Sequence, residues 1–396
     1  MAIVVRERPS QKADLLSMAS PLLILSLLLL FSLNTAQEMK AKPEFECHTA
    51  LFSFGDSLTD TGNLKYVEHD QFIGIWSLPY GETFFHRPTG RCSDGRLIVD
   101  FFAQGLGLPM LQPYLSGFHG AVEFKKGANF AVAGATALTP SLLREKGVEK
   151  LSTNISLENQ LQWFYQLLPS ICHPNNECEE YMKKSMFLVG EIGTNDYYYA
   201  LNQGKTIDEV KAFVPDIVTT IMKTVEGLIQ KGARTLVVPG TFPMGCWTCL
   251  LTIFPSDNSS DYDPQSGCLI PLNNFASFHN SKLQDGIQAM RKKFPQANII
   301  YANYYNAFLR FFESPELYGF PKDTVHSACC GVGGPYNYDP TRTCGQPEVP
   351  SCGNPSMRVI WDGLHPTEAA SKHVFRALSS GEFLHPNIQF SRQPCA

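Results

Sequence analysis

The chain of 396 residues is 44% hydrophobic and 17% charged, with a formal net charge of -5. That balance allows a packed core and excludes a disordered chain or a fibre. Its mildly acidic sign argues against nucleic acid or an anionic membrane as partner.

Residues 1–36 read as a secretory signal peptide: Arg6, Arg8 and Lys12 precede the uncharged run from Pro21 to Phe31, and Asn34-Thr35-Ala36 offers a small residue for cleavage. The apolar run is about 11 residues, short of the roughly 20 that span a membrane. Met18 is an alternative start. Removing this segment, with three basic and two acidic side chains, leaves a net charge of -6 on residues 37–396. These are expected to form a single domain, secreted to the extracellular space or the vacuole, with no membrane anchor, since no second long apolar run follows. All 12 cysteines lie after residue 36, so disulfides are expected. Cys172 and Cys178 suit a local pair, while Cys329, Cys330, Cys344 and Cys352 suit staples of a late Gly/Pro-rich segment. Asn154-Ile155-Ser156 and Asn258-Ser259-Ser260 are glycosylation acceptors if exposed.

In chain order, Ala50 to Phe54 reads as a buried strand that stops at Gly55. Residues 64–125 are rich in Gly, Pro and aromatics apart from a short helix at Leu97 to Leu106, a long loop-rich insertion of the kind that shapes sites. Phe124 to Ala133 leads to a turn at Gly134. Leu157, Leu161, Phe164, Tyr165 and Leu168 recur at helical spacing, ending at Pro169. Met186 to Gly190 is a second buried strand. Thr206 and Glu209 form a capping box for a helix that stops near Gly232 and that Pro215 should kink or split. Leu236 to Val238 is a strand, Leu272 to Arg291 a helix and Asn298 to Tyr301 another strand. Residues 320–357 carry little regular structure, and Pro366-Thr367-Glu368-Ala369 opens a final helix. Strands alternating with helices imply an α/β fold with a doubly wound parallel sheet, whose ligands bind outside the carboxyl ends of the strands.

Chemistry concentrates at Gly55-Asp56-Ser57-Leu58, a strand end presenting a hydroxyl. A serine needs a base, an orienter for that base and donors for an oxyanion. Asp362, three residues before His365, suits a carboxylate holding an imidazole Nδ1 proton. The runs ending near Gly134 and at Gly193-Thr194-Asn195 can aim a backbone N–H or a side-chain amide at one point. Gly127 rivals Gly134 for that role. A serine in such a turn also caps helices, and a helix start behind Ser57 would add positive potential. Asp56, Asp60 and Asn63 are expected to brace the turn, and Asp196 to stand behind it. Cys246-Trp247-Thr248-Cys249 has zinc-like spacing without a second metal-spaced pair, so disulfide use is expected. Gly204-Lys205-Thr206 lacks the earlier glycine of a phosphate loop, and Gly-x-Ser-x-Gly is absent.

Gly55-Asp56-Ser57-Leu58, Gly134, Gly193-Thr194-Asn195-Asp196 and Asp362-Gly363-Leu364-His365 together resemble the four blocks of the GDSL esterase/lipases of the SGNH hydrolase superfamily. Leu78-Pro79-Tyr80-Gly81-Glu82-Thr83-Phe84-Phe85, Arg87 to Arg96 and Cys329-Cys330-Gly331 resemble the plant branch, within it the subgroup of acetylajmaline esterase and sinapine esterase. The resemblance implies a flavodoxin-like fold and a catalytic set of Ser57, Asp362 and His365. It also implies an oxyanion hole from the Ser57 and Gly134 backbone N–H groups and the Asn195 amide. Gly134 is preferred to Gly127 because, as in the family, a small residue and Thr follow it. It implies a serine esterase acting on small-molecule esters, acetyl or hydroxycinnamoyl, with no cofactor or metal. Alternatives are an acyltransferase using the same acyl-enzyme and a catalytically idle binding glycoprotein.

Overall fold

The structure, a computed structural model, describes residues 47–67, 73–120, 122–172 and 176–388. The leader read in residues 1–36 lies outside them. Strand β1 (Ala50–Phe54) is fully buried and pairs in parallel with β2 (Gly127–Asn129) on one side and β3 (Ser185–Val189) on the other. A parallel strand covered on both faces has no polar side to alternate with, which is why its sequence is nearly all apolar. β4 (Thr235–Pro239) and β5 (Asn298–Ala302) extend the sheet in parallel. The two residues of β6 (Leu384–His385) close it antiparallel, in the order β2-β1-β3-β4-β5-β6.

Helices fill the connections: α1 (Ile98–Gly105) leads to β2, and α2 (Pro140–Glu145), α3 (Leu157–Ile171) and α4 (Asn176–Lys183) lead to β3. α5 (Thr194–Asn202), α6 (Ile207–Lys211) and α7 (Val214–Gln230) precede β4; α8 (Thr248–Ile253) and α9 (Ile270–Lys293) precede β5; α10 (Tyr304–Glu313) and α11 (Glu368–Ser379) precede β6. The chain steps outward from β1 to β2 and then returns past β1 to β3. With right-handed crossovers, that reversal puts α1 on the opposite face from the helices of the next connections. Packing agrees: α1 rests on α11, which also meets α10, whereas α3 and α9 both rest on α7. The reversal falls between β1 and β3, and such sheets bind ligands outside the carboxyl ends of the strands at that point.

The helix expected to end at Pro169 continues to Ile171 with the proline inside it. Proline removes one hydrogen bond, here to the Tyr165 carbonyl near the end of the helix, and Cys172 N–H still closes on the Leu168 carbonyl. Pro215 splits rather than kinks: α6 keeps the Thr206/Glu209 capping box, and α7 starts with Pro215 in its first turn, where no N–H is needed. No α-helix follows Ser57 directly; the next helical segment is the 3₁₀ turn Asn63–Tyr66. The chain makes one turn, with Thr59 and Asp60 N–H on the Asp56 carbonyl. Asp60 then takes the N–H groups of Gly62, Asn63 and Leu64, which open that 3₁₀ turn and have no partner within it.

α3 fastens the end of β1. The buried Gln160 side chain accepts from Gly55 N–H and donates to the Gly55 carbonyl, both at 2.8 Å. Gly55 has φ of +151°, and a Cβ there would lie 2.9 Å from the Glu191 carbonyl oxygen, so the amide clamp and the glycine together let β1 and β3 end side by side. Replacing Gln160 by Leu strands a buried N–H, and the expected cost is about 2 kcal/mol. It is read as a lower urea midpoint with unchanged m, and an unmoved midpoint contradicts the clamp.

Candidate active site

Ser57 sits in the turn that leaves β1, 7% exposed. Asp56 braces it, its Oδ1 accepting from Leu58 N–H at 2.9 Å and its Oδ2 from the Asn195 amide at 3.2 Å. Asn63 gathers the strand end beside it: its amide donates to the Asn129 and Ala131 carbonyls, both at 2.8 Å, and its oxygen accepts from Leu115 N–H. Asp60 reaches across to Ala133 N–H at 2.8 Å. These bonds deliver Gly134, at φ of +81°, to the Ser57 corner, with its carbonyl turned to the Tyr199 hydroxyl. Gly127 lies at the amino end of β2 opposite Leu51, and its N–H closes on the Phe124 carbonyl.

Asn195 lies in the first turn of α5, behind Gly193 in the left-handed region. Its amide donates to the Ala135 carbonyl at 2.9 Å as well as to Asp56. Asp196 beside it accepts from Ala137 and Leu138 N–H, so the strand-end loop after Gly134 and the start of α5 are tied together.

Asp362 and His365 occupy a tight loop closed by an Ile360 to Pro366 bridge. Asp362 Oδ1 accepts from Leu364 and His365 N–H at 3.0 and 2.9 Å, which folds the loop back so that His365 Nδ1 meets Oδ2 at 2.7 Å. Oδ2 also accepts from the Tyr80 hydroxyl at 2.7 Å. Burial alone would raise the Asp362 pKa, but the His365 charge and these donors outweigh it and hold the carboxyl below its ordinary range. The His365 charge also acts on Asp56, the residue before Ser57. Positions 56 and 365, some three hundred residues apart in sequence, are therefore near enough for the charge of one to act on the other.

Loops supply the remaining support. Ser93 donates to the Pro366 carbonyl, Asp94 accepts from Glu368 N–H, and the Glu368 carboxylate takes the Arg96 backbone N–H and guanidinium. The Cys329 and Cys330 N–H groups bond the carbonyls of Ile360 and Trp361. Disulfides Cys329–Cys352 and Cys330–Cys344 hold that segment, and its Tyr338 ring covers Gly363, where a Cβ would lie 2.2 Å from the ring. Cys172–Cys178 pairs as expected, and Cys246 pairs with Cys268. The expected disulfide use of both cysteines in the Cys246/Cys249 pair is corrected: Cys249, like Cys92, is a buried free thiol. Burial pushes Cys249 up to about 12 and Cys92 well above its ordinary value, so both are neutral packing groups. Gln160 and Tyr199 were not singled out from sequence, and Tyr80 only as part of a family string.

A family model described as GDSL-like Lipase/Acylhydrolase matches residues 51–378. A GDSL esterase/lipase of Arabidopsis thaliana is 48% identical over 343 residues, 86% of this chain and 92% of that protein. A second from the same plant is 47% identical over 351 residues, covering 88% of each chain. Sinapine esterase of Brassica napus is 43% identical over 367 residues, 92% of this chain and 93% of that one. The chain belongs to the GDSL esterase/lipase family. It is a carboxylic ester hydrolase, and among the described residues no helix is long and apolar enough to cross a membrane.

Acidic groups crowd this corner. Burial, against the pull of Leu58 N–H and His365, pushes Asp56 up to about 7. It takes Asp60 to about 6 and Asp196 to about 7, in each case against several backbone donors. Glu191, whose Oε1 accepts from the Thr194 hydroxyl at 2.6 Å, is raised well above its ordinary value by burial and then by Asp56. A carboxyl that binds its proton more tightly when folded stabilises the fold fully below its unfolded pKa, near 4, and loses that contribution as pH rises through the folded value. The melting temperature is therefore expected to decline between about pH 4 and 7. Asp56→Asn should flatten part of that slope in a calorimetric series, and an unchanged slope removes Asp56 from the account.

Proposed function

We propose that this hydrolase cleaves its ester through an acyl-enzyme on Ser57. His365 Nε2 takes the Ser57 proton as Oγ bonds to the ester carbonyl carbon; the tetrahedral intermediate then collapses, the C–O bond to the alcohol breaks, and the alcohol leaves with that proton. Water, deprotonated by His365, attacks the acyl carbon, the acid departs and Ser57 regains its proton. Asp362 fixes the Nδ1–H tautomer and stabilises the imidazolium without taking the proton. The Ser57 and Gly134 N–H groups and the Asn195 amide meet the oxyanion. Supporting this most directly is the doubly held Asp362–His365 pair, whose charge acts on Asp56, the residue before Ser57.

The substrates in this reading are acetyl or hydroxycinnamoyl esters of small specialised metabolites, a choice supported by the likeness to sinapine esterase. Secretion after removal of residues 1–36 is supported by four disulfides within the described residues and by the exposure of both acceptor residues, Asn154 and Asn258. Residues 37–396 serve as one catalytic domain, and the reaction as drawn uses groups of the protein and water alone.

Ser57→Ala is expected to lower hydrolysis of p-nitrophenyl acetate by about 10⁴-fold or more and to abolish labelling by a fluorophosphonate probe. Full activity in that variant ends the proposal. Asn195→Ala should cost about 10² to 10³ in turnover. A panel that varies acyl group and alcohol separately should favour acetyl or sinapoyl esters over triglyceride; the opposite order refutes the substrate class.

A further inference from the structure

We propose that Tyr80 is a positioning residue that sets the basicity of His365 through Asp362, an inference that rests on the acyl-enzyme reading above. Among the described residues, Tyr80 is the one donor to Asp362 from outside its own loop. The two carboxylate oxygens are in different positions. Oδ1 is held by backbone N–H groups that fix the loop and lies 3.0 Å from His365 Nδ1, whereas Oδ2 takes the Tyr80 hydroxyl and makes the shorter contact to Nδ1, both at 2.7 Å.

The insertion places Tyr80 for this contact. Gly81 N–H bonds the Ser93 carbonyl at 3.0 Å and Thr83 N–H the Asp94 carbonyl at 2.8 Å, and the Tyr80 ring stands edge-on to Trp361 at 5.9 Å. The phenol is buried, and burial, followed by the Asp362 charge, pushes its pKa well up, so it donates and does not ionise. Cys92, Cys249 and Tyr338 are the other titratable groups facing Asp362, all neutral near pH 7, and Asp56 faces His365. Tyr80 therefore drains negative charge from the oxygen that holds the imidazole. It weakens the pull on the imidazolium that forms when Ser57 gives up its proton.

A tyrosine that merely filled space would also lower activity when lost, so the test is the pH profile. In the full chain, Tyr80→Phe is expected to move the acid limb of kcat/KM for a p-nitrophenyl ester to higher pH by about one unit, so that kcat/KM falls about tenfold at a pH below that limb, with KM little changed. Replacing Tyr80 by 3-fluorotyrosine, a stronger donor of nearly the same volume, should move that limb to lower pH. In an Asp362→Asn background, Tyr80→Phe should cost nothing further. An acid limb that stays in place in both Tyr80 variants, or an undiminished loss in the Asp362→Asn background, overturns the inference. If Tyr80→Phe yields no folded protein, the fluorotyrosine limb alone decides. Full activity in Asp362→Asn would instead remove the catalytic reading itself.

Discussion

Carboxylates buried without a lysine or arginine beside them impose the constraint on which this corner of the molecule depends. A buried charge is costly unless hydrogen bonds satisfy it, and among the described residues Asp56, Asp60, Asp196 and Asp362 meet that demand with N–H groups, a side-chain amide, an imidazole and a phenol. Each takes donors from its own turn or from a distant segment, or both. Asp60 joins residues 62–64 to Ala133, Asp56 joins Leu58 to Asn195, and Asp196 collects Ala137 and Leu138. Asp362 joins its own loop to Tyr80. Segments that the sheet merely brings near are thereby fixed relative to one another.

The sheet positions only part of the site. Ser57 and Asn195 follow β1 and β3, neighbouring strands on either side of the reversal, so parallel pairing sets their separation within a rigid layer. Asp362 and His365 follow no strand; they lie between α10 and α11, where loops must do the placing. Backbone bonds from Cys329 and Cys330, two disulfides and the 80–96 insertion hold that loop from outside. A closed loop stapled by disulfides loses less entropy on folding than a free one, which suits a segment with little regular structure of its own.

β1, β3, β4 and β5 were legible because burial makes them continuous apolar runs, whereas the two-residue β6 was not; the Thr206/Glu209 box and Pro215 marked α6 and α7 correctly. Strand order was not legible, since pairing joins segments far apart in sequence. α5 escaped notice because Tyr197, Tyr198 and Tyr199 carry aromatic rings around the helix instead of along one stripe. The helix start expected behind Ser57 is displaced: a turn on the Asp56 carbonyl comes first, and Asp60 then serves the opening N–H groups of the 3₁₀ turn Asn63–Tyr66. The Gln160 clamp on Gly55 spans 105 residues and the Tyr80 contact with Asp362 spans 282, separations at which spacing carries no signal. By contrast, the three-residue interval of Asp362 and His365 was readable because both ends of that contact lie in one turn.

The same constraint bears on how an oxyanion would be met in the proposed mechanism. Asn195 commits its amide to the Ala135 carbonyl at 2.9 Å and to Asp56 at 3.2 Å, so a developing negative charge must take over one of these bonds. The bond to Asp56 is the longer of the two and therefore the cheaper to exchange. Burial raises the proton affinity of Asp56 to about 7, which makes it a partly neutralised competitor near neutral pH. A fully charged carboxylate beside Ser57 would both hold the amide more tightly and repel the oxyanion. Desolvating Asp56 thus lowers the cost of handing the donor over at the step where charge appears.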